Sequence, residues 1–397
     1  MAVRMLLREL GLENIFSFKK TIVELRGLNV LIGPNAVGKS NLIEAISLLK
    51  AAPDDLNREI LRLGGVRVVC SLAGAAASPI AVIECSGIAG ELLRYRLEFS
   101  EQASGFVILR EHLTDVGADP EKSSSGTYFY RTPARVLLNR RSGNLAVQLG
   151  IVPGSDTGAV THGESVLALY KNPVDPTPIT RVGRGFEQIR IYREFRTTGN
   201  SQARRGVSTS ASKDFLDDQG DNLALVLLDM DFKGLHERVR EYLHRFCDRF
   251  NDVKVRLDGP IAKTYIEESG LLEPLVSWRL SDGTLKFLCL LAVLLEKEPP
   301  PLICIEEPEV GLHPEAIQIV AEALVDASER TQLVVTTHSE ALIDALSDRP
   351  EDVLVTERDF DNGTQFKRLD SRQLSVWLER YTLGALWRKG EIGGNRW

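Results

Sequence analysis

The sequence is poor in cysteine and has no long apolar run. Only five of its 397 residues are cysteines, and no two of them form a C-x-x-C pair. This spacing builds neither a metal centre nor a disulfide framework, so we expect reduced core thiols in a cytoplasmic protein. The longest apolar run, residues 287–295, has nine residues and is too short to cross a bilayer. Charges interrupt the apolar N-terminus, which therefore does not fit a signal peptide.

An excess of positive charge and sustained heptad repeats are also absent. The net charge of −7 argues against a protein that coats nucleic acid through bulk charge, although a local basic groove stays open. No heptad pattern long enough for a coiled-coil arm runs between residues 150 and 280. We expect three units: a strand-rich unit at residues 1–160, a mostly helical unit at 161–280, and an α/β unit at 281–397.

A glycine-rich loop is the most informative motif. Residues 33–40 read GPNAVGKS, follow an apolar strand-like run and precede apolar residues at helical spacing. Glycines allow such a loop to curl so that its N–H groups face a polyphosphate, and the helix N-terminus adds a positive dipole. In this motif Lys39 neutralises the β- and γ-phosphates and Ser40 ligates Mg²⁺. The alternative, a chance glycine turn, leaves the strand–loop–helix context unexplained. The predicted nucleotide-binding residues here are Gly33, Pro34, Asn35, Ala36, Val37, Gly38, Lys39, Ser40 and Asn41.

Two adjacent glutamates end a second predicted strand. Residues 302–305 are apolar and lead into Glu306 and Glu307. Ligands of α/β sheets lie at the carboxyl ends of strands, where one carboxylate can hold a metal and the other can polarise water. We assign Glu306 to Mg²⁺ and Glu307 to the general base. A solvated acidic turn would be the preferred alternative if the glycine-rich phosphate-binding loop at residues 33–40, the P-loop, were absent.

Two further segments supply groups that can face a phosphate. LSDGT at residues 280–284 opens a predicted helix at 285–295, where Ser281 and Gly283 would present a hydroxyl and N–H groups to an anion. His338 ends the strand after the glutamate pair, where it can sense a γ-phosphate and steady the attacking water. Alone, LSDGT is an ordinary helix N-cap, and a single histidine is more often structural.

Along the chain the four motifs follow one another as GPNAVGKS, LSDGT, the glutamate pair and His338. In this order and spacing they resemble the ABC-type ATPase heads of the RecF, OLD and SMC group. The likeness covers LENIFSFKKTIVELRGLNVLIGPNAVGKSNLIEAI and residues 280–356. It is nearest to the stand-alone bacterial AAA-type ATPases associated with genome maintenance or phage defence. It implies an α/β P-loop NTPase fold, an ABC-type head with a β-rich ATP-binding lobe and a helical signature lobe. It also implies ATP and Mg²⁺ as cofactors.

The resemblance further implies that two heads pair on ATP. Each copy would supply Ser281 and Gly283 to the triphosphate held by the other, and residues 309–313 would cross the interface. Only 59 residues follow His338, fewer than an OLD-type nuclease domain needs. We therefore expect any nuclease or other effector activity to come from a partner protein, and no membrane partner.

The chain departs from the pattern of these heads in two places. The acidic pair is Glu-Glu instead of the usual Asp-Glu, and a longer side chain can reach Mg²⁺ through a water. The glutamine that senses Mg²⁺ in such heads cannot be placed, because Gln102 and Gln148 are both weak candidates. Residues 115–250 carry little that maps onto the family.

Arginines concentrate between residues 181 and 205. Aromatic residues lie among them, at Phe186, Tyr192 and Phe195, and guanidinium groups suit contacts with phosphate. A surface whose arginines pair with acidic residues explains the same pattern, and the sequence does not choose between that and DNA binding. The arginines of this cluster are Arg181, Arg184, Arg190, Arg193, Arg196, Arg204 and Arg205. A second cluster comprises Arg131, Arg135, Arg140 and Arg141.

Other segments give expectations for the structure alone. Residues 66–70 and 276–280 read as strands because they are rich in apolar and β-branched residues. Residues 197–213 are rich in Ser, Thr, Gly and Arg and read as an exposed loop. A helix is predicted over residues 235–250, and its stretch 237–249 reads as a charged surface helix.

Two functions stay open at this level. The first is an ATP hydrolase whose heads dimerise on ATP and act on DNA, in repair or antiviral defence. The second is an ATP-gated regulatory subunit that controls a separate effector with little turnover. A transporter ATPase subunit is a third candidate, but the RecF-like opening of the sequence speaks against it.

Overall fold

The computed structural model of the protein describes residues 6–70, 80–102, 105–123, 125–133, 135–139, 146–150, 163–170 and 177–393. The strands within these ranges are β1 (Glu9–Ile15), β2 (Phe18–Glu24), β3 (Leu28–Ile32), β4 (Ala81–Ser86), β5 (Leu93–Gln102), β6 (Gly105–Asp115), β7 (Thr127–Thr132), β8 (Arg135–Asn139), β9 (Ala146–Gly150), β10 (Arg190–Tyr192), β11 (Val207–Ser208), β12 (Phe250–Asp258), β13 (Ile261–Glu268), β14 (Leu275–Val276), β15 (Leu302–Glu306), β16 (Gln332–Thr336), β17 (Val353–Asp359) and β18 (Gly363–Arg368). The helices are α1 (Lys39–Ala51), α2 (Leu56–Arg62), α3 (Val66–Val69), α4 (Val166–Leu169), α5 (Pro178–Glu187), α6 (Gln202–Arg205), α7 (Leu223–Phe232), α8 (His236–Phe246), α9 (Asp282–Leu294), α10 (Pro314–Ala327), α11 (Glu340–Asp344), α12 (Ser371–Leu378) and α13 (Leu383–Arg388).

One large sheet organises the molecule. Within the described residues it has fourteen strands, in the order β10-β15-β16-β3-β17-β18-β2-β1-β4-β5-β6-β7-β8-β9. The strands from β10 to β17 along this order run parallel to one another. From the β17–β18 pair onward, each strand is antiparallel to its neighbour. The parallel end and the antiparallel end therefore form two distinct halves of one sheet.

The parallel strands are covered on both faces. Every residue of β3 and of β16 is buried, as expected where helices pack on both sides of a sheet. Leu31 points into the core that contains α1, whereas Val30 and Ile32 point into the core that contains α9 and α10. Because β3, β15 and β16 are parallel, their carboxyl ends meet at one edge of the sheet. The P-loop, Glu307 and Thr337 follow these three ends.

The antiparallel half confirms the predicted β-rich lobe. Strands β4 to β8 follow one another along the chain and pair in sequence order, as short connections favour. Their inward residues join α1 and α5 in a shared core, where Tyr95 and Phe186 meet edge to face with ring centroids 5.4 Å apart. This lobe wraps around the helix that follows the P-loop.

A smaller antiparallel sheet is formed by strands from residues 207–276. It has the order β11-β13-β12, with β14 also paired to β13. Helices α7 and α8 pack with it and with α9, and the rings of Phe246 and Phe287 stack with centroids 4.3 Å apart. Residues 161–280 thus contain a sheet as well as helices. The unit boundaries at 160 and 280 stay predictions, and β10 of this middle segment pairs with β15 in the large sheet.

Two predicted strands are wrong. Residues 66–69 form α3, since Val66 and Val69 are buried at helical spacing while Val68 is exposed, and only Cys70 bridges to a strand residue, Ile15. Residues 277–279 form a 3₁₀ turn, and only Leu275–Val276 pairs as a strand. Packing overrides the β-propensity of valine in such short runs.

Two other segments also differ from prediction. Residues 197–213 do not form an exposed loop, because they contain α6 and β11, and Ser201 and Val207 are buried. Val207 pairs with Ala262 of β13, a contact that composition does not reveal. The helix predicted to reach residue 250 ends at Phe246, and the chain then enters β12.

The cysteines are not cross-linked, and the helices are short. All five cysteines are free. No group of His, Cys, Asp and Glu side chains in the described residues has the arrangement of a metal centre built from three or more such ligands. None of the helices in the described part of the chain is both long and apolar enough to span a membrane.

Candidate nucleotide-binding site

The P-loop joins β3 to α1 and requires its two glycines. Gly33 and Gly38 have φ values of 147° and 110°, which side chains other than hydrogen rarely allow. A Cβ at Gly33 would lie 2.4 Å from the carbonyl oxygen of Thr356, and one at Gly38 would lie 2.5 Å from the hydroxyl oxygen of Ser17. The loop is therefore held in a fixed curl by the strands around it, as the motif predicts.

The loop is supported from below by a network of hydroxyl groups. The Asn41 side-chain amide donates to Ser17 Oγ over 2.7 Å. Thr364 Oγ1 lies 2.7 Å from the same Ser17 oxygen and 2.5 Å from the carbonyl oxygen of Val37. Asn41, predicted to bind nucleotide, is thus engaged in holding the loop. Ser17 and Thr364 were missed because they lie 16 residues or more from the motif in sequence.

Lys39 is buried and turned onto its own loop. Its ammonium donates to the carbonyl oxygens of Gly33 at 2.7 Å and Pro34 at 2.8 Å. Burial lowers the pKa of Lys39 to about 8, against the opposing effect of the nearby carboxylates of Glu307 and Glu309. A cation whose direct partners, in the part of the chain that the structure describes, are loop carbonyls is suited to accept phosphate oxygens in their place.

Glu306 lies where the predicted metal site requires a carboxylate. It accepts a hydrogen bond from Ser40, the other predicted Mg²⁺ ligand, and burial raises its pKa in spite of that bond. Arg193 Nε lies 3.1 Å from Glu306 Oε1, and the other end of the same guanidinium lies 2.6 Å from Glu44 Oε2. An arginine at this point was not predicted as a site residue. The donor set of one hydroxyl and one carboxylate fits Mg²⁺, which takes oxygen ligands.

Glu307 has a strained backbone and faces His338. Its φ of 44° lies in the left-handed region, which non-glycine residues occupy mainly where surrounding structure enforces it, often at functional sites. Its N–H donates to the Thr336 carbonyl over 3.0 Å, and its Oε1 lies 3.6 Å from His338 Nε2. Burial, with Lys39 second, lowers the pKa of His338. A neutral imidazole beside a carboxylate can exchange a proton with water.

Glu309 is a site residue that the sequence analysis placed only in an interface loop. Its Oε1 accepts hydrogen bonds from Thr337 Oγ1 at 2.7 Å and from the His338 N–H at 2.9 Å. Its Oε2 is buried and has no hydrogen-bond partner among the described residues. Glu309 therefore fixes the backbone at His338 with one carboxylate oxygen, while its other oxygen has no hydrogen-bond partner among the described residues. The signal for it was present as the third glutamate of the EEPE run.

The signature segment lies on the surface at the start of α9. Ser281 is exposed and caps the helix, since its Oγ accepts a hydrogen bond from the Thr284 N–H over 3.0 Å. A Cβ at Gly283 would lie 2.8 Å from the carbonyl oxygen of Gly311, so a larger residue would push the two segments apart. In the same chain, the Lys286 ammonium donates to the Glu307 carbonyl at 3.3 Å. Ser281 thus combines an exposed position with a hydroxyl that caps its own helix through Thr284.

Arg204 holds the signature turn in place. Its guanidinium donates to the carbonyl oxygen of Leu280 over 2.7 Å and to Asp282 Oδ1 over 2.5 Å. The Ser277 hydroxyl donates in return to the Arg204 carbonyl over 2.6 Å. Arg204 therefore serves the fold of the signature segment and is not free for phosphate.

Other arginines of the 181–205 cluster are also engaged. Arg181 pairs with Glu91 at 2.8 Å, Arg196 pairs with Asp221 at 3.5 Å, and Arg190 stacks over the Phe215 ring. The interleaved aromatics Phe186, Tyr192 and Phe195 are buried and cannot stack on bases. In the second cluster, Arg131 is buried 3.6 Å from Glu111, and residues 140 and 141 lie outside the described part. The pairing within the first cluster favours the paired-arginine alternative over a DNA surface, and of the second cluster only Arg131 has a described side chain.

The two glutamine candidates for sensing Mg²⁺ gain no support. Their side chains lie outside the described atoms, and their backbones belong to β5 and β9. Neither strand pairs with β3, β15 or β16. The residue that follows β10 and reaches Glu306 is Arg193.

The chain is similar to known proteins in sequence. The family AAA_21, described as "AAA domain, putative AbiEii toxin, Type IV TA system", matches residues 28–132 and 176–344. "Old nuclease" of Escherichia phage P2 is 26% identical over 377 residues, which cover 85% of this chain and 57% of that protein. The chain thus spans a little over half the length of this curated relative.

The fold is similar to solved SMC heads. One is the SMC head bound to the C-terminal winged-helix domain of ScpA, with a TM-score of 0.52 and 12% identity over 92% of this chain and 99% of that one. Another is the Smc head with an extended coiled coil, bound to the C-terminal domain of ScpA from Pyrococcus furiosus, with a TM-score of 0.55 and 12% identity over 96% of this chain and 99% of that one. These likenesses confirm the predicted α/β fold of an ABC-type P-loop NTPase head.

Proposed function

The chain belongs to the AAA_21 family of ATPase domains, and from this premise we propose that it binds ATP with Mg²⁺ and hydrolyses the nucleotide. The supporting observation is the convergence of three strand ends on one loop. They bring Lys39, Ser40, Glu306, Glu307 and His338 to a single edge of the parallel sheet. Five free cysteines support a reducing compartment such as the cytoplasm.

Each residue has a role in this proposal. Lys39 exchanges its loop carbonyls for β- and γ-phosphate oxygens, and the loop N–H groups bind the same phosphates. Ser40 and Glu306 hold Mg²⁺, which supplies neutralisation of charge on the phosphates when bound. Glu307 accepts the proton of the attacking water, while His338, oriented by Glu309, hydrogen-bonds to that water or to the γ-phosphate.

We further propose that two copies pair around the nucleotide. Ser281 is exposed at the N-terminus of α9, where the first turn of the helix carries the positive end of its dipole. A second copy that faces this surface places its triphosphate there, so that each site is completed in trans. The support for this pairing is the resemblance of the motifs to ABC-type heads, which implies two heads that pair on ATP.

The purpose of the cycle is proposed to be an action on DNA, in genome maintenance or phage defence. The support is the likeness to a phage nuclease that is longer than this chain. An effector or nuclease partner, or a further part of a longer protein, would then carry out the chemistry on DNA. Arg193 paired with Glu306, and Lys39 on its own loop, favour a slow resting rate and so keep the alternative of an ATP-gated regulator in view.

Steady-state phosphate release, with and without duplex DNA, separates hydrolysis from gating. Glu307→Gln should retain ATP binding, lose phosphate release by about 10²–10⁴-fold, and accumulate as a dimer in gel filtration with ATP. Glu329→Gln is the matched control, since that residue is exposed, follows the end of α10 and belongs neither to the site nor to residues 309–313. A Glu307→Gln protein with wild-type turnover would remove this residue from the mechanism.

Mixing two inactive variants tests completion in trans. Lys39→Ala removes the phosphate cation, and Ser281→Arg blocks the signature surface. If sites are shared, the mixture of the two proteins regains part of the activity, because a mixed pair keeps one intact site. A mixture that stays inactive, while wild-type protein hydrolyses ATP as a monomer, contradicts the pairing.

A further inference from the structure

Three elements meet at Glu306 in a way that the known motifs do not require. Tyr192 of β10 pairs with Ile305 of β15, so the next residue, Arg193, lies beside Glu306. Ser40 and Glu44 lie one turn apart on the same face of α1. Arg193 is thus enclosed by carboxylates from a strand and from a helix.

The contacts make Arg193 a bridge between the two carboxylates. Its Nε lies 3.1 Å from Glu306 Oε1, and its terminal nitrogen lies 2.6 Å from Glu44 Oε2. Glu44 is also bound by Arg62 at 2.8 Å, so it remains charge-compensated if Arg193 moves. Glu306 is only 17% exposed, and Arg193 is the one cation within ion-pair distance of it among the described residues.

We propose that Arg193 is the resident counter-ion of Glu306 and is exchanged for the divalent cation when metal and nucleotide bind together. This inference rests on the proposed function, because it takes Glu306 as a metal ligand. The positive guanidinium of Arg193 and a divalent cation bound to Glu306 would repel one another strongly, because the site is partly buried. Arg193 therefore withdraws from Glu306 and stays with Glu44. Binding of the metal is thus the step that breaks the Arg193–Glu306 ion pair.

The exchange sets how much metal improves nucleotide binding. Without metal, Arg193 neutralises Glu306 and lets the phosphates approach. With metal, the free energy of breaking the Arg193–Glu306 pair is subtracted from the benefit of the metal. Removing Arg193 should therefore weaken ATP binding in the absence of metal and strengthen it in its presence.

The experiment measures the affinity of a fluorescent ATP analogue in EDTA and in saturating Mg²⁺. The quantity compared between variants is the affinity in Mg²⁺ divided by the affinity in EDTA. In Arg193→Gln this ratio should rise about tenfold over wild type, as expected for loss of one charge near the metal. Arg62→Gln is the matched control, since it removes the same charge from Glu44 but has no contact with Glu306, and its ratio should stay within about twofold. Arg193→Met keeps the aliphatic stem and serves where the glutamine variant does not fold.

The outcomes distinguish this inference from the proposed function. In a Glu306→Gln background, the Arg193 substitution should no longer change the ratio, because the pair has lost its acceptor. A ratio that is unchanged or lower in Arg193→Gln overturns the exchange while nucleotide binding stands. A wild-type protein that binds no nucleotide analogue with or without Mg²⁺ overturns the proposed function itself.

Discussion

The P-loop edge and the arginine-rich segment 181–205 are both dense in charge, but the fold treats them in opposite ways. At the P-loop edge, and within the described residues, Glu309 keeps a buried oxygen without a hydrogen-bond partner and Lys39 donates to carbonyls of its own loop. In the arginine segment, Arg181 and Arg196 pair with carboxylates and Arg204 holds the signature turn. The candidate nucleotide-binding site therefore differs from the ion-paired arginine segment in its position at the ends of parallel strands, and not in the number of its charges.

This difference has an electrostatic reason. Paired charges on a surface are screened by water and by each other, and they add little to binding. A charge at the edge of a parallel sheet is partly buried, so an incoming ion of opposite sign gains more there than in water. Arg193 connects both regions, because it starts the segment that follows β10 and ends on Glu306.

The largest effect should come from Lys39→Ala. We expect nucleotide affinity to fall by about 100-fold or more, because hydrogen bonds to charged groups contribute about 1.5–3 kcal/mol and the phosphate charge loses its cation. Titration calorimetry with ATP and Mg²⁺ measures the change. Lys50→Ala, in the last turn of the same helix and 3.7 Å from Asp218, should bind as wild type does. Equal affinities for the two variants would break the comparison.

Gly38→Ala should have an intermediate effect. The added Cβ meets Ser17 and Thr364 at 2.5 Å in a backbone conformation with φ of 110°. Gly117→Ala is the matched variant, with a φ of 92° and nothing within 4 Å of the added Cβ. Chemical denaturation should show a loss of about 1–2 kcal/mol at Gly117, from conformation alone, and a larger loss at Gly38. Similar losses would mean that the loop is not held by its neighbours.

The smallest effect should come from charge reversal in the arginine segment. Arg190→Glu with Arg196→Glu should leave DNA affinity and its salt dependence close to wild type, because these side chains are already engaged. The control pair, Arg358→Glu with Arg380→Glu, changes net charge equally at exposed arginines outside the cluster. An electrophoretic shift that is lost only in the first pair would restore this segment as the DNA site.

Much of the parallel half could be read from the sequence. The strand predicted at residues 302–305 and the helix predicted at residues 285–295 lie within a few residues of β15 and α9, since continuous apolar runs and helical spacing leave few alternatives. Short segments were less predictable. Val66–Val69 forms a helix and Ser277–Arg279 a 3₁₀ turn, because contacts distant in sequence outweigh the preferences of four or five residues.

The site divides along the same line. Lys39, Ser40, Glu306, Glu307 and His338 were named from the sequence because each follows a strand whose pattern is local, although their roles stay predictions. Arg193 was named only as a member of the arginine cluster, and Ser17 and Thr364 were not named, since their proximity to Glu306 or to the loop depends on strand order.

The sequence by itself determined the curled phosphate loop, the buried parallel strands and the acidic strand end, because backbone geometry and apolar burial act over a few residues. Only the tertiary structure decided which arginines are paired, that Glu309 orients His338, and that Arg193 occupies the carboxylate assigned to metal. The reason is that pairing of charges depends on distance in space, and β10 reaches β15 only when the sheet has formed.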